Sequence, residues 1–236
     1  MRKIVKFYGI SFSNIGFNEL FEKIQNGGIL VAPAASALIN IEEDKSYYNS
    51  LIRADFVILD SGLLCILLRI FKGHKVKKLS GYLFLKKLIS KLKNKDYKVM
   101  CIDPSIEESK INRKFLIKSR ITNISSYIAP IYKCGEVTDN DLINIIKKNK
   151  PKYILINIGG GIQEKLGIFI RDTLNYKPII ICTGAAIAFL TGKQAPINNF
   201  IDKIYLGWLC RIIYNPKIFL TRTLRSIKLI NFFLKL

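Results

Sequence analysis

The chain has 236 residues, half of them hydrophobic, with 38 Lys and Arg against 17 Asp and Glu and a formal net charge of +21. That length suits one domain of about 200 residues with an appendage, and that apolar content excludes global disorder. The charge calls for an anionic partner (membrane lipid, nucleic acid or a phosphorylated substrate), the alternative for part of it being the bias of a Lys-, Asn- and Ile-rich genome.

The opening MRKIVKFYGISF lacks a long apolar core, so it reads as a strand over residues 4–8 and not as a signal peptide. A short helix over 18–24 ends at Gly27-Gly28. An apolar strand over 29–32 is followed by helical spacing over 35–41, and acidic Glu42, Glu43 and Asp44 precede a segment over 47–54. Residues 56–59 (FVIL) form a short buried strand with Asp60-Ser61-Gly62 at its carboxyl end. A carboxylate there, beside a glycine turn, lies where α/β enzymes place catalytic groups. It equally suits the cap of a helix starting near Leu63, because Asp and Ser are favoured N-caps.

Residues 63–71 are strongly apolar, broken by Arg69, and a basic loop over 72–78 carries His74. As the single histidine it excludes a multi-histidine metal site, and its Lys-rich surroundings read as an exposed loop. Ser80-Gly81 precede an amphipathic helix over 83–92. A strand over 99–102 ends at Asp103-Pro104, a polar helix covers 107–118, and Thr138-Asp139 cap a helix running to 148. The five cysteines, Cys65, Cys101, Cys134, Cys182 and Cys210, include no CxxC pair, which argues against zinc or a disulfide framework and for a reducing cytoplasm.

The run YILINI over 153–158 ends in Gly159, Gly160 and Gly161, after which Ile162-Gln163-Glu164-Lys165 opens helical spacing; IIIC over 179–182 repeats the pattern before Thr183-Gly184. Buried strand, glycine turn and helix start are the unit of a parallel α/β sheet, and ligands bind at such turns. Glycine permits close backbone approach, and free N–H groups at the helix start favour an anion. The same residues also serve a plain tight connection without a ligand. GGGIQE is not GxGxxG, and no suitably placed acidic residue follows Cys182, which counts against a dinucleotide cofactor.

From Lys203 to Leu236 seven basic residues and no acidic one are interleaved with apolar and aromatic side chains. In a helix from Lys217 onward, Leu220, Leu224 and Ile227 share one face and Arg222, Arg225 and Lys228 another. A basic amphipathic segment with aromatics is a membrane-surface signature; the competing reading is a terminal helix that packs on the core. No apolar run approaches the roughly 18 residues of a transmembrane helix. The expected architecture is therefore a Rossmann-like α/β parallel-sheet domain over residues 1–201 and a basic, mostly helical membrane-associating appendage over 202–236.

The order of motifs resembles the WecG/TagA/CpsF glycosyltransferases, family 26, along most of the chain. Asp60 with Ser61-Gly62 is similar to that family's Asp-Gly motif, interrupted by Ser61. Lys78-Leu79-Ser80-Gly81 is similar to its Arg-x-Ser/Thr-Gly stretch, and Gly159-Gly160-Gly161-Ile162-Gln163-Glu164 to Gly-x-Pro-x-Gln-Glu. Gly192-Lys193-Gln194-Ala195-Pro196 resembles Gly-x-x-x-Arg-Ala-Pro. Trp208, Arg211, Asn215-Pro216 and Arg222 follow the Glu-Trp-x-x-Arg, Glu-Pro and Arg series. Departures include Ala32-Pro33-Ala34 for Thr-x-Asn, Asp103-Pro104 for Gly-Gly, Ala188 for an Asp, and Gly207 for the Glu before Trp.

The resemblance implies transfer of a sugar such as N-acetylmannosamine from a UDP-sugar donor to a polyprenyl-diphosphate-linked sugar acceptor, with inversion and without a metal or other cofactor. It implies Asp60 as the catalytic base and a substrate site drawn from Ser80, Gly81, Gly159, Gln163, Gly184, Arg211, Arg222 and Arg225, the arginines answering the diphosphate charge. It also implies a peripheral position on the inner face of the cell membrane, against an anionic surface. Other classes remain beside it. A diverged, weakly active or inactive family member would act as a membrane-associated binding protein. A nucleic-acid binder rests on charge alone, without a motif, so no nucleic-acid partner is expected. Homo-oligomerisation is left open by the sequence.

Overall fold

A computed structural model describes residues 2–133, 135–194 and 212–234. The expected boundary at 201/202, the Ala195-Pro196 and Trp208–Arg211 motif positions, Cys134 and Cys210 lie outside the described residues.

The N-terminal segment is a hairpin, not the single strand read from the sequence. Strands β1 (Ile4–Phe7) and β2 (Ile10–Ser13) pair antiparallel through Tyr8-Gly9. Both linker residues have positive φ, 51° and 76°, the conformation of a two-residue turn whose twist matches its strands. The strands that follow are β3 (Gly28–Val31), β4 (Phe56–Ile58), β5 (Val99–Asp103), β6 (Ile124–Ile128), β7 (Tyr153–Ile156) and β8 (Ile179–Cys182). They join the hairpin in one sheet of order β1-β2-β4-β3-β8-β7-β5-β6, parallel everywhere except between β1 and β2. β3, β5, β7 and β8 are buried along their whole length, which is why they read as continuous apolar runs instead of alternating. The fold is therefore the mixed α/β, Rossmann-like architecture that the sequence leads one to expect. β6 (ISSYI), half polar at the far edge, carries no such signal.

Helices cover both faces. One layer holds α2 (Ala35–Leu38), α3 (Lys45–Arg53), α4 (Gly62–Lys72), α7 (Asn140–Asn149) and α8 (Ile162–Thr173), packed through residues such as Leu38, Leu51, Leu68, Ile146 and Leu166. The other holds α1 (Phe17–Ile24), α5 (Gly81–Leu92), α6 (Ile106–Lys118) and α9 (Ala186–Leu190), packed through Leu20, Leu85, Leu116 and Ile187. The segment after β3 thus leaves toward the first layer and the segment after β8 toward the second. The neighbouring ends of β3 and β8 form the crevice at which open α/β sheets bind ligands.

Two further helices, α10 (Pro216–Ile227) and α11 (Leu229–Leu234), close the described chain. Pro216 occupies the first turn of α10, where its missing N–H costs nothing. Leu220, Leu224 and Ile227 do share a face, and it is exposed. α11 behaves differently: Leu229, Phe232 and Phe233 are buried in the same core as β1 and α4. The Phe233 ring stacks on Phe7 at 4.5 Å and lies 5.6 Å from Phe71, while Phe232 meets Tyr8 edge-on at 5.1 Å. α10 packs beside α2 and α11 beside α4. No helix among the described residues is long and apolar enough to cross a membrane.

Candidate functional site

Asp60 follows β4 directly, and its role separates cleanly from that of Ser61. Ser61 is the N-cap of α4, its Oγ accepting from the Leu64 N–H at 3.1 Å. Asp60 is thereby released from capping its own helix; its Oδ1 accepts from the Gly81 N–H at 2.8 Å. Ser80 in turn caps α5, with Oγ accepting from the Leu83 N–H at 3.1 Å. The carboxylate is half-buried, with Oδ1 at the N-terminus of α5, whose dipole favours its anion.

Gly81 fits closely into the crevice. A Cβ at this position would lie 3.2 Å from the Ala32 Cβ and 3.3 Å from the Thr183 Cβ. The start of α5 is therefore lodged against the ends of β3 and β8. Asp60, Ser80, Gly81, Ala32 and Thr183 converge from four segments distant in sequence on the carboxyl edge of the sheet.

On the β7 side, Gly159 and Gly160 are exposed and Gly161 has φ 93°, a backbone shape that favours glycine. Gln163 is 2% exposed. Its Oε1 accepts from the Gly184 N–H at 2.8 Å and its Nε2 donates to Glu164 Oε1 at 3.0 Å. Gly184, with φ 56°, is thus tied across the crevice to α8. Six expected residues therefore sit on one edge: Asp60, Ser80, Gly81, Gly159, Gln163 and Gly184. Arg222 and Arg225 lie exposed on α10, Arg222 over the Phe219 ring at 5.8 Å. Arg211 lies outside the described residues.

Three polar features beneath this edge were not singled out from the sequence. Glu164 is fully buried; Oε2 accepts from the Gly161 N–H at 2.7 Å, reaching back over the first turn of α8. Burial pushes its carboxyl up to about 7, against the Gly161 N–H, the Gln163 amide and the Lys165 charge, which favour the anion. Beside it the buried Lys165 ammonium pairs with Asp44 at 2.7 Å. Burial raises the Asp44 carboxyl, but the Lys165 bond and the Tyr47 N–H outweigh it, and the net shift is downward. The glycine followed three residues later by Glu was the signal available for Glu164.

The third feature is Asp103 at the end of β5. Its Oδ1 accepts from Asn112 Nδ2 and Asn157 Nδ2, both at 2.8 Å. Asp103 Oδ2 and Asn157 Oδ1 are buried without a hydrogen-bond partner among the described residues. Asn157 is hidden inside the apolar YILINI run, where only its pairing with a strand two connections earlier gives it meaning. No three His, Cys, Asp or Glu side chains come together as a metal site among the described residues. Cys65, Cys101 and Cys182 are free and buried. Burial raises all three thiols, which makes them poor nucleophiles.

The arrangement can hold a proton acceptor at fixed orientation beside a crevice floored by glycine turns and helix N-termini. Comparison with known sequences gives two matches of different reach. The profile of the Glycosyl transferase WecG/TagA/CpsF family matches residues 5–236. The N-acetylglucosaminyldiphosphoundecaprenol N-acetyl-beta-D-mannosaminyltransferase of Bacillus subtilis (strain 168) is 23% identical over 181 residues, 74% of this chain and 66% of the relative. The aligned part thus spans a little under two thirds of that relative.

Proposed function

The chain belongs to the WecG/TagA/CpsF glycosyltransferase family, and from that premise we propose that it transfers an N-acetylmannosamine-like sugar from a UDP-sugar to a polyprenyl-diphosphate-linked sugar. The family and the relative's name support the coarser reading, a glycosyltransferase of cell-wall polysaccharide precursors. The observation that carries the finer one is the Asp60 carboxylate held by the Gly81 amide at the sheet's carboxyl edge.

In this reading the acceptor hydroxyl oxygen attacks the anomeric carbon as the bond from that carbon to the UDP oxygen breaks. UDP leaves with the bonding electrons, and the hydroxyl proton passes to Asp60. One face of the anomeric carbon is attacked while the other is vacated, so the configuration inverts. A placed carboxylate suffices as the base if departure of UDP runs ahead of proton transfer. Gly159 to Gly161 and Gly184 supply backbone close to the donor, positioned by Gln163. The diphosphate charge is answered by the helix N-termini and by Arg211, Arg222 and Arg225, guanidinium forks matching phosphate oxygens. The basic C-terminal segment keeps the enzyme on the inner face of the membrane that holds the lipid acceptor.

The test is turnover of a UDP-sugar panel with a polyprenyl-diphosphate-N-acetylglucosamine analogue. UDP and a disaccharide-lipid form with the parent chain, and Asp60→Asn lowers the rate by about a hundredfold to ten-thousandfold. A parent chain that turns over no donor moves the reading to a membrane-associated binding protein, for which Ala32, Ala188 and Gly161 at motif positions would be the physical reason.

A further inference from the structure

Residues 61–95 contain ten basic residues and no acidic one, an acid-free run denser in cations than the C-terminal segment. Helix α4 lies inside it. Its inward side chains, Leu64, Cys65, Leu67 and Leu68, are buried. A helix half turned to water carries polar residues on that half. Here Ile66 is 39%, Ile70 70% and Phe71 42% exposed, and half-buried Leu63 extends the line toward the N-terminus. Leu63, Ile66 and Ile70 stand three and four residues apart, so they form one stripe. The helix's charges, Arg69 and Lys72, are confined to its last turn. Immediately beyond that turn a cleft of about 280 Å³ is lined by Arg69, Gly73, His74, Lys75 and Val76.

We propose that the outward face of α4, with the basic cleft at its C-terminal end, is a docking surface for an anionic phospholipid bilayer. Ile66 and Ile70 enter the boundary between headgroups and acyl chains, and a lipid phosphate sits in the cleft against Arg69 and Lys75. An apolar stripe ending in cations is the pattern of a helix lying in the membrane interface. Charge selects the occupant. Two copies of a chain with net charge +21 repel one another as they approach, whereas an anionic leaflet attracts the Lys and Arg side chains of this face. α11 packs against α4, and its Leu234 is 69% exposed. Because α4 begins directly after Asp60, docking fixes the carboxylate's orientation to the bilayer across about 16 Å of helix. The inference extends the membrane part of the proposed function but stands without the transfer chemistry.

The test uses the full chain and vesicles of phosphatidylcholine with and without phosphatidylglycerol. Ile66→Asp/Ile70→Asp is expected to lower affinity for anionic vesicles about tenfold or more, leaving the thermal midpoint and turnover of a short-chain, water-soluble acceptor unchanged. Ile70→Trp is expected to show a blue-shifted difference fluorescence on anionic vesicles and none on neutral ones, and it decides the matter if the double variant does not fold. Unchanged vesicle affinity in the double variant, or no shift at position 70, overturns the proposal. So does a parent dimer that the double variant splits while vesicle affinity stays the same; the face would then belong to a second copy. Lost vesicle binding in the variant, with no turnover by any form of the chain, upholds the docking surface and sinks the transferase reading instead.

Discussion

At the residue scale, the crevice works by division of labour between adjacent side chains. The extra Ser61 in the family's Asp-Gly motif takes the cap of α4, leaving Asp60 for Gly81. Asp60→Asn keeps an oxygen for the Gly81 N–H, so its thermal midpoint should stay near the parent's while turnover falls by about a hundredfold or more; a large drop in the midpoint would recast Asp60 as a structural latch. Gln163→Ala strands the Gly184 N–H in a buried site and should cost about 1–3 kcal/mol in urea unfolding. Glu164 gives a pH signature. Its folded carboxyl is raised to about 7, so the folded chain holds that proton more tightly than the unfolded one. Stability falls as pH rises through the ordinary carboxylate range to about 7, by about 3 kcal/mol in all, and is level above. Glu164→Gln should flatten that slope, read from urea midpoints between pH 5 and 8.

These residues differ in how far the sequence exposes them. Asp60, Ser80 and Gly184 stand at strand ends or turns, where one side of the position is always open to a ligand, and local pattern suffices to find them. Asn157 and Glu164 sit inside apolar or helical runs. Asp103 reaches Asn157 only through strand pairing, which local pattern does not encode; Glu164 has local partners in Gly161 and Gln163, but its burial is set by the packing of α8.

At the scale of elements, the buried parallel strands were legible because full burial on two faces leaves one unmistakable composition. The β1–β2 hairpin was missed because a two-residue turn needs only Tyr8-Gly9 to reverse the chain. β6 was missed because an edge strand has no need of an apolar run. In the C-terminal segment α11 packs into the core, one of the two readings its sequence allowed, while α10 keeps its apolar face exposed. Phe233→Ala should therefore cost about 3–5 kcal/mol in chemical unfolding, whereas Leu224→Ala on the exposed face of α10 should change stability by less than about 0.5 kcal/mol. Equal effects of the two would mean that α11 does not dock on β1.

At the scale of the whole molecule, a net charge of +21 acts over distances that single contacts do not. Binding to phosphatidylglycerol vesicles should weaken steeply between 0.05 and 0.5 M salt, because the Debye length shortens from above about 10 Å at 0.1 M toward 3 Å at 1 M. Salt-independent binding would show that apolar insertion alone holds the chain. Turnover should be unaffected by EDTA if guanidinium and helix N-termini carry the diphosphate charge, and a metal requirement would reassign that task.

The stacking of Phe233 on Phe7 joins β1 to α11 across nearly all of the described residues. During synthesis, the Phe7 and Tyr8 surface emerges long before its cover in α11, so the hairpin waits uncovered while the strands and helices between them are made. Contacts this remote in sequence slow folding and leave apolar surface open to association meanwhile. Premature termination before α11 should then show itself less as a shorter enzyme than as a chain retained by chaperones.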